Sequence, residues 1–175
     1  LPYSIGSQQF RVQRGILDAT LQVTPGYQLR LIGNHLKSRR EVEDGDQAVM
    51  RRHEAVLLRE HVENILESAP QTNLLLYGDF NDTKNEQPIK VIQGRFGEKN
   101  YLRDLWLQDA DGYRFTYYWS FADSYDRIDF AFINDGLWPE VETKKSFLAK
   151  DPDWLKASDH RPLVIFEDDA AMVAT

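Results

Sequence analysis

Asn73-Leu74-Leu75-Leu76-Tyr77-Gly78-Asp79-Phe80-Asn81-Asp82 (NLLLYGDFND) is the stretch that decides the fold of this chain. Asn73 to Tyr77 is a short continuous apolar run, the pattern of a strand buried on both faces. Gly78 and Asp79 follow at once, so the strand is expected to deliver a carboxylate to its carboxyl end. Taken alone, a Gly-Asp after a strand is usually a turn whose carboxylate bonds nearby backbone N–H groups.

Upstream of this run, Gln47 to about Ser68 carries Ala48, Ala55, Leu58, Val62 and Ile65 at helical spacing. Asp46 is placed to cap that helix and Pro70 to end it. Lys37 to Asp46 (KSRREVEDGD) is polar with mixed charge and reads as a surface loop. Tyr27 to Gly33 reads as a strand that brings Asn34-His35 to its carboxyl end. Before it, Phe10 to Val23 is extended with a break at Arg14-Gly15, and Pro25-Gly26 makes the turn.

Downstream, Gln87 to Gln93 reads as a short helix. Phe115 to Trp119, Ile128 to Ile133, Val141 to Leu148 and Leu163 to Phe166 read as strands, and the acidic tail from Glu167 to Thr175 is expected to fray. The pattern predicts about eight strands and one long helix, a layered α/β chain whose helix inventory is thin for the sheets it must cover.

The 175 residues suit one domain, with apolar residues at 42% and charged residues at 28%, enough to fill a core. Lys+Arg 21 against Asp+Glu 28 gives a net charge of -7, which disfavours gripping nucleic acid by bulk charge but leaves room for local basic patches. The absence of cysteine excludes disulfides, thiolate catalysis and cysteine-bound zinc. No run has the length of a membrane span, and Leu1 to Phe10 lacks the build of a signal peptide.

Four motifs place polar groups where the chain leaves or enters strands: Asn34-His35, Gly78-Asp79-Phe80-Asn81, Arg127-Ile128-Asp129 and Ser158-Asp159-His160. Each is weak alone. Together they match the needs of phosphate-ester hydrolysis: an activated water, donors around the phosphoryl oxygens, and stabilisation of the leaving oxygen, often through Mg²⁺. Carboxylates suit a hard divalent cation, whereas His53 and His61 lack the i, i+4 spacing of a helical zinc pair and read as surface helix residues.

The ordered set NHLKS (34–38), YGDFND (77–82), DRIDFAF (126–132) and SDHRP (158–162) resembles the carboxyl-terminal motifs of the endonuclease/exonuclease/phosphatase superfamily, and is similar to DNase I and the apurinic endonucleases. The resemblance implies a four-layer α/β sandwich and a Mg²⁺-dependent hydrolase, with Mn²⁺ as a substitute, acting on phosphate esters that include nucleic acid. It also implies roles. His160 matches the catalytic histidine and Asp129 the carboxylate that orients it; Asp79 matches the residue that positions or deprotonates water, and Asn81 the amide that holds phosphate or metal-bound oxygens. His35 resembles the second histidine, donating to a phosphoryl oxygen. Asp159 resembles a carboxylate beside the metal, which makes Asp79, Asn81 and Asp159 the expected metal ligands, and Arg14 stands where related enzymes contact phosphate.

The departure is upstream. The family's Asn and metal-binding Glu have no counterpart before Arg14, so the amino-terminal part of the domain is expected to precede Leu1. A catalytically incomplete domain, or a phosphate-ligand binding module, is the competing expectation. Phe115, Tyr117 and Trp119 alternate as a core strand would, a reading favoured over base stacking, with Trp119 and Phe121 the expected substrate contacts. Lys37, Arg39, Arg40, Arg51 and Arg52 read as a solvated face.

Overall fold

The computed structural model describes residues 1–43 and 45–168. In chain order the elements are β1 (Pro2–Ile5), β2 (Gln8–Arg11), β3 (Ile16–Thr24), β4 (Tyr27–His35), α1 (Gln47–Ser68), β5 (Asn73–Asp79), α2 (Gln87–Gln93), β6 (Arg103–Asp104), β7 (Tyr117–Trp119), β8 (Ser124–Asp126), β9 (Asp129–Ile133), β10 (Phe147–Leu148) and β11 (Leu163–Val164). Two 3₁₀ turns, Trp138–Glu140 and Trp154–Lys156, interrupt the carboxyl-terminal third.

The centre is a mixed sheet in the order β3-β4-β5-β9-β6. Strands β3 and β4 form an antiparallel hairpin through Pro25-Gly26. Strands β4 and β5 are parallel, so the chain must cross over between them, and α1 makes that crossing. Asp46 caps α1 as expected, its carboxylate accepting from the N–H groups of Ala48 and Val49.

One sheet face meets α1 and α2 in a dry core built from Ile32, Leu58, Val62, Leu74, Leu76 and Ile92. Phe80, Phe130 and Phe132 join it, with Phe80 edge-on to both other rings. Each of these fully buried side chains contributes about 1.5–3 kcal/mol by leaving water. On the opposite face Tyr27, Leu29, Leu105, Ala131 and Ile133 pack under the loops around Leu137 and Leu148, while Leu31, Leu75 and Leu163 are only partly covered.

The structure revises several expectations. In β5 the helix-facing Leu74 and Leu76 are fully buried but Leu75 and Tyr77 are half-buried, so the run is not sealed on both faces. Ala48 is exposed, and the buried stripe of α1 includes Arg51, Glu54 and Arg59. These polar residues turn inward because each finds a partner there: Asp82 for Arg51, the Lys37 N–H for Glu54, and the Ile92 carbonyl for Arg59. Lys37 and Arg51 are therefore buried rather than part of a solvated face. His53 is half-buried and stacks on Tyr3.

Val141 to Leu148 does not run as one strand. The Glu142 carbonyl accepts from the N–H groups of Lys145 and Ser146, closing a turn, and only Phe147–Leu148 pairs with β11. The alternation from Phe115 to Trp119 does not mark a core strand either. Thr116 is the buried residue of that segment, whereas Trp119 is 49% exposed on the β7–β8 hairpin. In the tail, Glu167 bridges Val141 and the Asp168 N–H donates to the Glu140 carbonyl, so its first two residues are held. The remainder of the expected frayed segment, 169–175, lies outside the described residues, as does Asp44.

Candidate active site

Strand register assembles the site. His35 is the last residue of β4 and pairs with Asp79, the last of β5, and Asp79 pairs in turn with Asp129, the first of β9. Three residues separated widely in sequence thus stand in one row across three neighbouring strands, at spacings of about 4.8 Å. His35 Nε2 lies 3.2 Å from Asp79 Oδ2.

His160 closes the row from a different segment. Its Nδ1 is 2.8 Å from Asp129 Oδ2, which leaves Nε2 to face outward. Its backbone bridges Tyr117 and its ring lies 4.8 Å from the Tyr117 ring. Asp129 is itself fixed by Thr116, whose fully buried Oγ1 accepts from the N–H groups of Ile128 at 3.1 Å and Asp129 at 3.0 Å.

The turn after β5 depends on two unusual backbone positions. Gly78 has φ +138°, and a Cβ there would sit 2.0 Å from the Asn34 carbonyl oxygen, so only glycine lets β4 and β5 approach this closely. Asn81 has φ 53°, a left-handed conformation that asparagine tolerates better than most residues. That twist brings the Asn81 backbone N–H to Asp79 Oδ1 at 2.8 Å and its side-chain Nδ2 to Asp79 Oδ2 at 3.0 Å. Asn81 Nδ2 also donates to the Leu36 carbonyl at 3.0 Å, and Arg14 Nη1 donates to the same carbonyl at 3.0 Å.

Electrostatics separate the three titratable groups. Burial pushes the Asp79 carboxyl up to about 6, with the nearby Asp129 charge adding to it. His35 is pushed below its ordinary value, chiefly by burial and then by the positive charges of Arg14 and His160. The hydrogen bond to Asp129 raises His160, against the effect of burial. The row therefore holds a carboxylate with raised proton affinity, an imidazole whose neutral form is favoured by burial and an imidazole whose protonated form is favoured by its carboxylate partner.

His35, Asp79, Asn81, Asp129 and His160 are thus brought together, and Arg14 joins them through the Leu36 carbonyl. Asp159 is exposed, its backbone carbonyl accepting from the Tyr118 N–H, and its charge is felt by Tyr117 and His160. Trp119 stands on the hairpin beside Phe121, ring centroids 5.9 Å apart. Sequence reasoning missed three supports: Thr116, Glu54, and Arg39, whose Nε donates to the Asn81 carbonyl at 3.1 Å. A buried Thr or Glu between apolar positions was the available signal, but its partner lies far along the chain.

The site offers oxygen donors to a Mg²⁺ ion. Oxygen donors are the right chemistry. Among the described residues, however, no three His, Cys, Asp or Glu side chains converge to hold a metal. Of the expected ligands, both Asp79 oxygens already accept from Asn81, and Asp159 is exposed. These residues alone do not make a Mg²⁺ site.

No protein-family model and no curated protein matches the chain. Solved structures do match it. The 3′ phosphatase NExo from Neisseria, bound to a product DNA hairpin, superposes with a TM-score of 0.61 at 16% identity over 89% of this chain and 65% of that one. Beta toxin from Staphylococcus aureus with bound magnesium ions gives 0.60 at 16% identity, covering 89% and 58%. Sphingomyelinase C from Streptomyces griseocarneus gives 0.57 at 15% identity, covering 87% and 57%.

The chain has a DNase I-like α/β fold, as the four motifs led one to expect. It spans roughly three fifths of the length of these three structures. A DNA 3′ phosphatase and a sphingomyelinase among its fold relatives both act on phosphate esters. Among the described residues no helix is long and apolar enough to cross a membrane.

Proposed function

We propose that this chain carries the catalytic face of a phosphoesterase that hydrolyses phosphodiester bonds by direct attack of water. The observation that carries the reading is the row His35–Asp79–Asp129 on adjacent strand ends, with His160 docked on Asp129. A water oxygen attacks phosphorus in line with the ester oxygen, and its proton passes to the Asp79 carboxylate. The ester P–O bond breaks and the leaving oxygen takes a proton from the His160 imidazolium.

Asp129 keeps His160 protonated and oriented, so its Nε2–H meets the negative charge that grows on the leaving oxygen. Neutral His35 and Arg14 face the remaining phosphoryl oxygens, while Asn81, whose amide N–H groups are taken by the Leu36 carbonyl and Asp79, holds the Asp79 carboxylate in place. Nucleic acid is the substrate class favoured within this reading, supported by the DNA-bound phosphatase among the fold relatives. The expected Mg²⁺ or Mn²⁺ dependence rests on the resemblance and on the magnesium-bound beta toxin, and no step above is routed through it.

Hydrolysis of bis-p-nitrophenyl phosphate and of plasmid DNA, with and without Mg²⁺, tests the proposal. Turnover that falls about 10²-fold or more in His160→Ala supports it. A folded protein with no turnover under either condition overturns it. That result would favour a second reading, a phosphate-ester binding domain. Calorimetry would then show phosphate-ester binding without product.

A further inference from the structure

Beyond the catalytic row, the structure places an unusual concentration of positive charge around one exposed indole. Trp106 is 47% exposed, and three cations lie over its ring: Lys84 Nζ at 4.1 Å, the Arg127 guanidinium at 4.5 Å and the Arg114 guanidinium at 5.1 Å. Arg127 is buried beneath, held by both Asp104 oxygens, so it is structural. Lys84 is exposed.

Trp106 also opens onto a cavity of about 700 Å³ lined by Gln108, Arg114, Thr143, Lys144 and Lys150. Its one acidic lining residue, Asp109, is neutralised by Arg161 at 2.8 Å. Lys150 pairs with Asp111, and Arg114 Nη2 donates to Gln108 at 2.6 Å. Arg114 Nε is buried with no hydrogen-bond partner. An acidic chain of net charge -7 does not produce such a patch by composition alone.

Its position relates it to the site. Strand β6 pairs antiparallel with β9, and the Leu105 N–H continues the ladder to the Ala131 carbonyl. One residue further the chain leaves that ladder, the Leu107 N–H turning back to the Leu105 carbonyl, and Trp106 lies over Arg127, two positions before Asp129. Strand β6, which leads into the patch, is two strands from β5, which ends in Asp79. Lys84 arrives on the loop that follows Asn81.

We infer that Trp106, Lys84, Arg114 and the adjoining cavity form a binding subsite for a single-stranded nucleic-acid chain, seating a nucleotide next to the scissile phosphate. The inference rests on the phosphodiesterase reading and supplies its substrate class. The chemistry is that of single-strand binding: cations that track the phosphates, gathered around a half-exposed aromatic ring. Electrostatic complementarity favours a polyanion over a neutral ligand. Two cations on successive phosphates would release about 1.4 counterions, at about 0.7 per contact on a single strand.

Fluorescence anisotropy of a labelled twelve-nucleotide single-stranded DNA tests the subsite without requiring turnover. Binding by the unaltered chain should weaken about tenfold in Trp106→Ala and in the double variant Lys84→Gln/Arg114→Gln. In the double variant the slope of log affinity against log salt should be shallower by about 1.4. Hydrolysis of bis-p-nitrophenyl phosphate, too small to reach the patch, should be unchanged in both, and thermal melts check that they fold. Unaltered oligonucleotide affinity in folded variants, or no binding by the parent chain, overturns the subsite. So does loss of binding to phosphatidylserine vesicles in place of DNA. If bis-p-nitrophenyl phosphate is not hydrolysed while the variants still lose DNA binding, the catalytic reading fails and the subsite stands.

Discussion

Glu54 Oε2, on the buried face of α1, accepts the backbone N–H of Lys37 at 2.6 Å, and this contact holds the peptide on which the site converges. The preceding carbonyl, that of Leu36, is the shared acceptor for Arg14 and Asn81, while the Leu36 N–H donates to the Asp79 carbonyl at 2.9 Å. Arg51, one turn earlier on α1, donates to the Lys37 carbonyl at 3.2 Å and to Asp82 at 2.8 Å. The helix thus clamps the two peptides on either side of Lys37, and the first of them accepts from both Arg14 and Asn81.

Replacing Glu54 by Ala should therefore cost about 2–3 kcal/mol, since it leaves a buried N–H without its acceptor. Glu54→Gln retains an acceptor and should recover most of that loss. Urea denaturation of the two variants measures the difference; equal losses would show that the hydrogen bond is not what Glu54 contributes.

The pH profile of kcat/KM should be bell-shaped. Asp79 must be deprotonated to accept a proton, so activity rises as pH passes through about 6. His160 must be protonated, so activity falls at a pH above the ordinary histidine value, because Asp129 raises it. Asp129→Asn removes that support and should move the falling limb to lower pH. An alkaline limb unmoved in Asp129→Asn would assign it to another group.

Asp79 also trades stability for chemistry. Its folded-state value lies above that of the unfolded chain, so the stability it contributes is present at acid pH and is lost as pH rises through about 6. At pH 7 the buried charge is a net cost. Asp79→Asn should abolish turnover; its amide leaves one Asn81 donor without an acceptor at every pH, so relative to the parent it should gain about 1–2 kcal/mol between pH 4 and pH 7. Thermal melts at the two pH values check the sign.

Gly78→Ala should be among the most damaging single changes, because a methyl group 2.0 Å from the Asn34 carbonyl forces β4 and β5 apart at the catalytic end. A loss of about 3 kcal/mol or more is expected in urea denaturation. A near-neutral outcome would mean that the strand ends yield more readily than their register indicates.

Much of this fold was legible because its signals are local. The helical spacing from Gln47 to Ser68, the Asp46 cap, the Pro25-Gly26 turn and the strand before Asp79 each depend on neighbours within a few residues. The failures share the opposite property. Arg51 and Lys37 read as solvent-facing because their partners, Asp82 and Glu54, come from other segments. Phe115, Tyr117 and Trp119 alternate as a core strand would, yet only three residues pair in β7, and the buried contact of the segment is made by Thr116 with β9.

By itself the sequence determined which chemistry was available and in what order: four short motifs carrying carboxylate, amide and imidazole groups at the ends of apolar runs. Only the tertiary structure decided that His35, Asp79 and Asp129 share one row and that His160 docks on Asp129. It also decided that Trp106 gathers Lys84, Arg114 and Arg127 beside them. The physical reason is that strand order and register are set by long-range packing of the sheet against α1 and α2. Those pairings join residues many tens of positions apart, which no local pattern records.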